Sequence, residues 1–255
     1  MFDEVRVGAL VLHRTTGAQV VDAVFAALAR GEGGMLVTAN LEFAQRAAEA
    51  PEIAALYGSA TLRVADGAPL LWLARLQGTP LPERVPGSDL VWRIAERAAR
   101  DNRSLFLLGG APGAAERAGD VLRRRYAGLR IVGTLAPRLS SEPLAEELAP
   151  VATALASACP DLVYCAFGTP KQERVAVALI PTLPRAWWVG CGISLSFIAG
   201  QRRRAPRWIQ RVGLEWLHRT TQEPGRLAGR YLLRNLPFLV VSAGRVLLAP
   251  RREAM

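Results

Sequence analysis

The sequence predicts an α/β protein built on a mostly parallel, Rossmann-like sheet with helices on both faces and a basic helical appendage at its C-terminus. Apolar runs of strand length recur along the first 200 residues, helical segments alternate with them, and the pattern changes after Gly200. Strand–helix alternation is typical of parallel sheets, because each parallel connection needs a long crossover. We therefore divide the chain into an α/β domain, residues 1–200, and an appendage, residues 201–255.

Six apolar runs predict the strands of the sheet. They lie at residues 35–40, 62–67, 105–110, 130–134, 162–168 and 187–192. None alternates between apolar and polar residues, as expected for strands covered on both faces. The helices between them are predicted at 41–57, 88–101, 113–126, 142–158 and 171–180.

Bulk composition describes a folded protein of 255 residues, with 51% hydrophobic and 21% charged side chains, and argues against disorder. No uninterrupted apolar stretch reaches the roughly 18 residues of a spanning helix, and the acidic start "MFDEV" is unlike a signal peptide, so we expect a cytoplasmic protein. Cys159, Cys165 and Cys191 are expected to be reduced core residues. The two histidines leave little material for a histidine-based metal site or nucleophile system.

Positive charge is concentrated in the appendage. The net charge is +10, yet residues 1–200 hold 20 basic and 19 acidic groups, whereas residues 201–255 hold 12 arginines and 3 glutamates. The arginines alternate with apolar residues, which predicts amphipathic helices broken near Pro224 and Pro237. Such helices bind anionic membrane surfaces. Their apolar faces also suit docking on a second subunit, and the same charge suits nucleic acid, which is the rival hypothesis.

Polar residues follow several predicted strands, at the edge where parallel sheets bind ligands. Asp66 comes directly after one strand, where it suits either a general base or a helix N-cap. The turn "GGAPG" after another strand, which includes Gly110, suits phosphate binding or simply a tight connection.

The segment "FGTPKQE", residues 167–173, has the same strand–turn–helix placement and contains the one lysine of the chain. Gly168, Lys171 and Gln172 are predicted to line a binding site; the alternative for Lys171 and Glu173 is a solvated helix start. Arg84 precedes a Pro-Gly turn. It is interpreted either as a residue of the site or as a partner in a surface salt bridge.

No D-x-D motif occurs, so the usual carboxylate pair that holds a divalent ion against a diphosphate is missing. The appendage arginines are the alternative, because guanidinium groups bind phosphate bidentately.

An ordered set of motifs resembles the WecG/TagA/CpsF glycosyltransferase family over roughly residues 35–235. The motifs are "TAN" at 38–40, "ADG" at 65–67, "ERVPGSD" at 83–89, "FLLGGAPG" at 106–113, "FGTPKQE" at 167–173, "AG" at 199–200, "RAP" at 204–206, and "GLEWLHR" with "EPGR" at 213–226. The resemblance implies that residues 1–200 form a catalytic domain. It also implies an inverting transferase that moves a sugar, often of N-acetylmannosamine type, from a UDP donor to a lipid-diphosphate-linked sugar at the inner face of the bacterial membrane.

The resemblance also implies roles for single residues. Asp66 is then the catalytic base, and no metal or other cofactor is required. Substrate-binding positions fall at Thr38, Asn40, Arg84 and Gln172, and diphosphate-binding arginines fall at Arg219 and Arg226.

Three departures from the family pattern affect this assignment. Ser196 stands where the family has an acid, and "LAPRL" at 135–139 replaces an aromatic "GY" element. Gly229 stands at a third arginine position, for which the neighbouring Arg230 is the substitute. An α/β enzyme using another nucleotide, and a family member without activity, are the remaining alternatives.

Overall fold

The computed structural model describes residues 2–211, 215–222, 225 and 229–248, apart from the side chains of residues 211, 219 and 230. Eight strands are β1 Glu4–Val7, β2 Leu10–His13, β3 Gly34–Ala39, β4 Leu62–Ala65, β5 Ser104–Gly109, β6 Arg130–Leu135, β7 Leu162–Ala166 and β8 Trp187–Gly190. The helices of the first 200 residues are α1 Gly17–Ala29, α2 Leu41–Glu49, α3 Pro51–Gly58, α4 Ala68–Leu76, α5 Gly87–Arg100, α6 Ala114–Arg125, α7 Ala145–Ala158, α8 Lys171–Leu179 and α9 Ser194–Ile198, with a 3₁₀ turn at Ile180–Thr182.

The central sheet has six strands in the order β4-β3-β8-β7-β5-β6, and every neighbouring pair is parallel. All six predicted strands are therefore confirmed, as is the Rossmann-like class. Parallel pairing brings the six carboxyl ends to one edge of the sheet. This edge, which we call the rim, carries the residues that follow each strand.

Helices cover both faces of the inner strands of the sheet, which explains why these strands are largely apolar, whereas the edge strand β6 is partly exposed. In β7, Val163 and Cys165 face one core with α2, α3, α4, α7 and α8, whereas Leu162 and Tyr164 face the other core with α1, α5, α6 and α9. Because successive strand residues point to opposite faces, most positions of a strand between two helix layers are apolar.

Local chemistry sets where several elements begin and end. The predicted helix 41–57 is two helices, because Pro51 cannot donate to the preceding turn and instead begins α3. The antiparallel hairpin β1–β2 and helices α1 and α4 are additions to the predicted elements. Cys159 is exposed at the C-terminal end of α7, so its assignment to the core is wrong, whereas Cys165 and Cys191 are buried as predicted.

From Arg207 onward, the described part of the appendage is helical. It contains α10 Arg207–Arg211, α11 Glu215–Gln222, a π-helical segment Gly229–Asn235 and α12 Leu236–Leu248. Pro224 lies outside the described residues, and Pro237 lies in the first turn of α12, where a proline is tolerated. By length and composition the segment Tyr231–Leu248 would suffice to cross a membrane, with mean hydropathy 1.3 and 6% of it buried. The domain boundary near residue 200 stays a prediction.

Candidate active site

The rim forms the floor of a cavity of about 1000 Å³. Its floor includes Asp66 after β4, Asn40 after β3, Gly192 after β8, Gly168 after β7 and Gly110 after β5. The strand ends therefore bring Asp66, Asn40, Gly168 and Gly110 together as predicted, whereas Gly192 was not predicted.

The appendage forms one wall of the same cavity. Its lining residues are Arg202, Glu215, Trp216, Tyr231, Asn235, Leu236 and Leu239. The rings of Trp216 and Tyr231 are in contact, with centroids 5.6 Å apart. The appendage thus reaches the rim of its own chain.

Asp66 extends the β4 ladder and then turns into the cavity. Its backbone N–H donates to the carbonyl of Ala39 at 2.7 Å, which fixes the main chain against β3. The N-cap of α4 is Gly67, so the N-cap interpretation of Asp66 is wrong. The Asp66 side chain is 30% exposed and its Oδ1 lies 3.9 Å from Nη1 of Arg84. A carboxylate in this position is accessible to a substrate hydroxyl.

Arg84 joins the rim to the appendage. Its Nη1 lies 3.1 Å from Oε2 of Glu215 in α11, as well as near Asp66. The other carboxylate oxygen of Glu215 lies 3.3 Å from Nε of Arg204, which also pairs with Asp89 in α5. Arg84, Glu215 and Arg204 are largely buried, so the surface salt bridge interpretation of Arg84 is wrong.

Arg204 stays charged inside this network. Burial lowers the pKa of Arg204, but its hydrogen bonds and charge interactions with Asp89 and Glu215 outweigh burial and leave the pKa above its ordinary value. The guanidinium is therefore a fixed positive charge that holds two carboxylates in place.

Thr38 and Asn40 lie at the end of β3, next to Asp66. Thr38 is buried, with its Oγ1 3.5 Å from the carbonyl of Gly190, and it lines the cavity. Asn40 caps α2, because its Oδ1 accepts the backbone N–H of Glu42 at 2.9 Å. The amide oxygen of Asn40 is thus used by the fold, while the residue itself lines the cavity.

Two glycines leave the middle of the floor without side chains. Gly110 has φ +92° and Gly168 has φ +73°, conformations that favour glycine. A Cβ on Gly110 would lie 3.3 Å from the Cβ of Ala114, so the β5–α6 turn also packs tightly. A ligand can approach the backbone closely at both places.

Gln172 is buried below the cavity, and both ends of its amide are bonded within the protein. Its Nε2 donates to Oε1 of Glu173 at 2.8 Å, and its Oε1 accepts the N–H of Gly192 at 3.0 Å. Gln172 therefore shapes the loop after β8, and its predicted contact with substrate stays a prediction. Glu173 is 1% exposed, so the solvated interpretation of this residue is wrong.

Lys171 lines the cavity, but its ammonium group is bound to the loop after β6. Its Nζ donates to the carbonyl of Leu139 at 2.9 Å and lies 5.7 Å from the centre of the Phe167 ring. The one lysine of the chain thus fixes a cavity wall. Ser196, at a position of departure, is buried and lines the cavity too.

The predicted diphosphate-binding arginines fall in the least described part of the chain. Arg226 lies outside the described residues, as do the side chains of Arg219 and Arg230, so their roles stay predictions. Among described residues, Arg202 is an appendage arginine on the cavity wall. No group of three His, Cys, Asp or Glu side chains that would hold a metal ion occurs within the described ranges.

Sequence reasoning missed Glu215, Arg204, Arg138 and Trp72, which line or brace the cavity. "RAP" and "GLEWLHR" are the signals that contain Arg204 and Glu215, although by themselves they indicate only the family. The contact between Glu215 and Arg84 joins residues 131 positions apart, and no local pattern predicts it.

A parallel sheet with a ligand-sized cavity at its strand ends and a carboxylate at the edge defines an α/β enzyme whose site lies on the rim. Residues 5–252 match the model of the Glycosyl transferase WecG/TagA/CpsF family, and the chain belongs to this family of glycosyltransferases. The predicted family and enzyme class are thereby confirmed.

Two curated relatives carry the same name, N-acetylglucosaminyldiphosphoundecaprenol N-acetyl-beta-D-mannosaminyltransferase. The chain is 30% identical over 199 residues to that of Bacillus spizizenii (strain ATCC 23059 / NRRL B-14472 / W23), covering 78% of this chain and 75% of the relative. It is 27% identical over 194 residues to that of Bacillus subtilis (strain 168), covering 76% and 73%.

Proposed function

We propose that the protein transfers a sugar, of N-acetylmannosamine type or a related hexose, from a UDP-sugar to a sugar carried on polyprenyl diphosphate, in bacterial surface polysaccharide synthesis. The names of the two relatives support the acceptor class and the sugar type. The observation that carries the proposal is the Asp66 carboxylate on the cavity floor, 3.9 Å from Arg84 and beside the appendage.

The reaction is a single displacement with inversion. Asp66 accepts the proton of the acceptor hydroxyl while that oxygen forms a bond to the anomeric carbon of the donor. The bond from the anomeric carbon to the β-phosphate oxygen breaks, and UDP leaves with the electron pair. General-base assistance of this kind is worth ~10²–10⁴-fold in rate.

Arginines supply the positive charge that the leaving diphosphate needs. Arg84 and Arg202 line the cavity, and Arg219, Arg226 and Arg230 are the further appendage arginines proposed to contact the diphosphate. Fixed cations aimed at developing negative charge often lower the barrier of a reaction more than any other group in the site. On this proposal the chain uses guanidinium groups in place of a divalent ion, so no cofactor is needed.

The appendage also brings the site to the membrane that holds the acceptor. On α12, Phe238, Leu239 and Ala243 pack against the core, whereas Val240 and Leu247 are exposed. A helix with one face on its own protein suits the membrane surface rather than a position surrounded by lipid. We therefore place the protein on the inner face of the plasma membrane, with α12 at the interface.

An Asp66→Asn variant tests the proposed chemistry. The neutral amide cannot accept the acceptor proton, so transfer should fall at least ~10²-fold while UDP-sugar binding persists. Release of UDP is measured with a lipid-linked acceptor, and binding is measured by calorimetry. The matched control is Asp22→Asn, the same change at an exposed position in α1, which should leave transfer unchanged. Full activity in Asp66→Asn would eliminate the proposed base.

A panel of donors tests the substrate class. UDP-sugars should support release of UDP, whereas GDP- and CDP-sugars should not, and EDTA should leave the rate unchanged. Loss of activity with EDTA, restored by a divalent ion, would contradict the role given to arginine. Salt-dependent affinity for duplex DNA without any UDP-sugar binding would favour the nucleic-acid hypothesis instead.

A further inference from the structure

The loop between β6 and α7 carries a cation for which the fold has no evident use. Arg138 is exposed and lies on the cavity wall between Pro137 and Leu139. It makes no hydrogen bond or ion pair with any part of the chain that the structure describes. A charged side chain of this kind, at the edge of a ligand-sized cavity, is available to a ligand.

The loop that carries Arg138 is held in place by three other charged side chains. Lys171 donates to the carbonyl of Leu139, and Arg174 donates to the carbonyl of Ser141 at 3.2 Å. Glu147 accepts the backbone N–H of Ser140 at 2.8 Å and its hydroxyl at 2.7 Å. Arg138 is therefore presented from a fixed backbone, which lowers the entropic cost of using it in binding.

The position of Arg138 along the rim identifies the part of a donor that it can reach. β4, which precedes Asp66, and β6, which precedes Arg138, are the two edge strands, five strand intervals apart. At ~4.8 Å per interval this is roughly 24 Å, less the reach of the two side chains. The diphosphate is joined directly to the reacting carbon and so lies on the Asp66 side of the rim, away from β6. The far end of an extended nucleotide sugar is at a suitable distance.

The surroundings of Arg138 suit a flat heterocycle. Pro137, Leu139 and Phe167 provide apolar surface on this side of the cavity, and Gly110 leaves the neighbouring floor open. Guanidinium groups only donate hydrogen bonds, and a pyrimidine such as uracil offers carbonyl oxygens that only accept them. Apolar walls with one well-placed polar group are typical of small-molecule sites.

We propose that Arg138 binds the nucleobase end of the donor by donating to a carbonyl oxygen of the base, and that Lys171 positions it through Leu139. This inference rests on the proposed function, because it takes the donor to be a UDP-sugar with its anomeric carbon near Asp66. It adds a residue that determines nucleotide specificity to the site.

The test compares wild-type protein with Arg138→Ala, using uridine, UDP and pyrophosphate as probes in competition against a labelled UDP-sugar. Arg138→Ala loses a hydrogen bond from a charged donor. The affinities for uridine and UDP should therefore fall by a similar factor of about ten, because both contain the base, and the affinity for pyrophosphate should not change. The control is Arg185→Ala, which removes another exposed arginine, near the start of β8 at the opposite end of the sheet.

Each other outcome has a definite meaning. Weaker pyrophosphate binding in Arg138→Ala would overturn the assignment to the base, and so would unchanged affinity for UDP. In Lys171→Met, the affinities for uridine and UDP should fall while that for pyrophosphate does not, and Lys171→Arg should restore most of the affinity.

If wild-type protein bound no UDP, the proposed function would fail together with the role of Arg138. If wild-type protein bound UDP and Arg138→Ala bound it equally well, the role of Arg138 would fail and the proposed function would stand.

Discussion

At the scale of single residues, Glu173 is an ionisable side chain that is completely buried directly below the cavity. Burial raises the pKa of Glu173 to about 7, although hydrogen bonds from Gln172 and Thr169 oppose the shift. Its Oε1 holds the amide of Gln172, and through it the loop at Gly192. The protonation state of one interior carboxyl group thus affects the floor of the site.

Glu173 should make stability depend on pH. Its folded pKa is raised above the ordinary value of 4.5, so the stability that it contributes is full below about pH 4.5 and is lost as pH rises through 7. Between pH 5 and pH 8 the wild-type protein should lose about 2–3 kcal/mol relative to Glu173→Gln, whose amide does not ionise. Urea unfolding of the full chain at both pH values measures the difference.

A matched control separates this effect from a general loss of charge. Glu96→Gln makes the same change on the exposed face of α5, and its stability difference from wild type should not vary with pH. A constant difference for Glu173→Gln as well would show that the carboxyl group does not change its ionisation on folding.

At the scale of elements, the sequence predicts those parts of the fold whose signal is local. The six central strands are largely apolar because most of them are covered on both faces, although the edge strand β6 is partly exposed. The positions of Asp66 and Gly168 follow from strand ends. The hairpin β1–β2 has strands of four residues each, too short for a clear pattern. Helix α1 does have a local signal, since Thr16 and Gln19 form a capping box, although the prediction omits this helix.

The rest of the site depends on how distant elements dock. Glu215 lies at the start of α11, where the sequence indicates an exposed position, yet it is largely buried between Arg84 and Arg204. Its burial follows from the position of the appendage over the rim, which the local amino-acid pattern does not encode. The same holds for Glu173, whose polar neighbours in "TPKQE" indicate a surface helix start.

Glu215 is expected to fix α11 to the rim. In Glu215→Gln, Arg84 and Arg204 each lose one of the two carboxylates near them, in a largely buried position where breaking such pairs is costly. Amide hydrogen exchange in α11 should accelerate at least ~5-fold and transfer should fall, while exchange in β3 and β4 should stay the same.

The control for this prediction is another ion pair between the appendage and the α/β domain. Oε2 of Glu49 lies 3.1 Å from Nη2 of Arg234, and both side chains are about half exposed. Glu49→Gln should therefore change amide hydrogen exchange in α11 and activity little. Equal effects of the two substitutions would mean that the appendage is held by its overall charge rather than by the buried network.

At the scale of the whole molecule, the site and the apolar surface lie on the same element. The segment Gly229–Asn235 and α12 contribute Asn235, Leu236 and Leu239 to the cavity, while Leu233 and Leu248 are among the most exposed apolar side chains described. One helical segment therefore contacts the cavity with one side and presents an apolar surface on the other. On the proposed function, this arrangement would let a lipid-linked acceptor reach Asp66 from the bilayer surface.

Val240→Asp combined with Leu247→Asp should separate membrane binding from catalysis. The two positions are 64% and 69% exposed and lie away from the cavity, so the fold should tolerate the change. Each substitution removes an apolar side chain that would be buried in the membrane, and adds a negative charge that an anionic surface repels by ~1 kcal/mol. The affinity for anionic vesicles should therefore fall at least ~10-fold. A water-soluble acceptor should still be used at the wild-type rate.

The control pair is Val132→Asp with Val177→Asp, the same charge change on exposed positions of β6 and α8, which should leave vesicle binding nearly intact. Co-sedimentation measures both pairs, and undiminished binding by the α12 pair would show that this helix does not lie on the membrane.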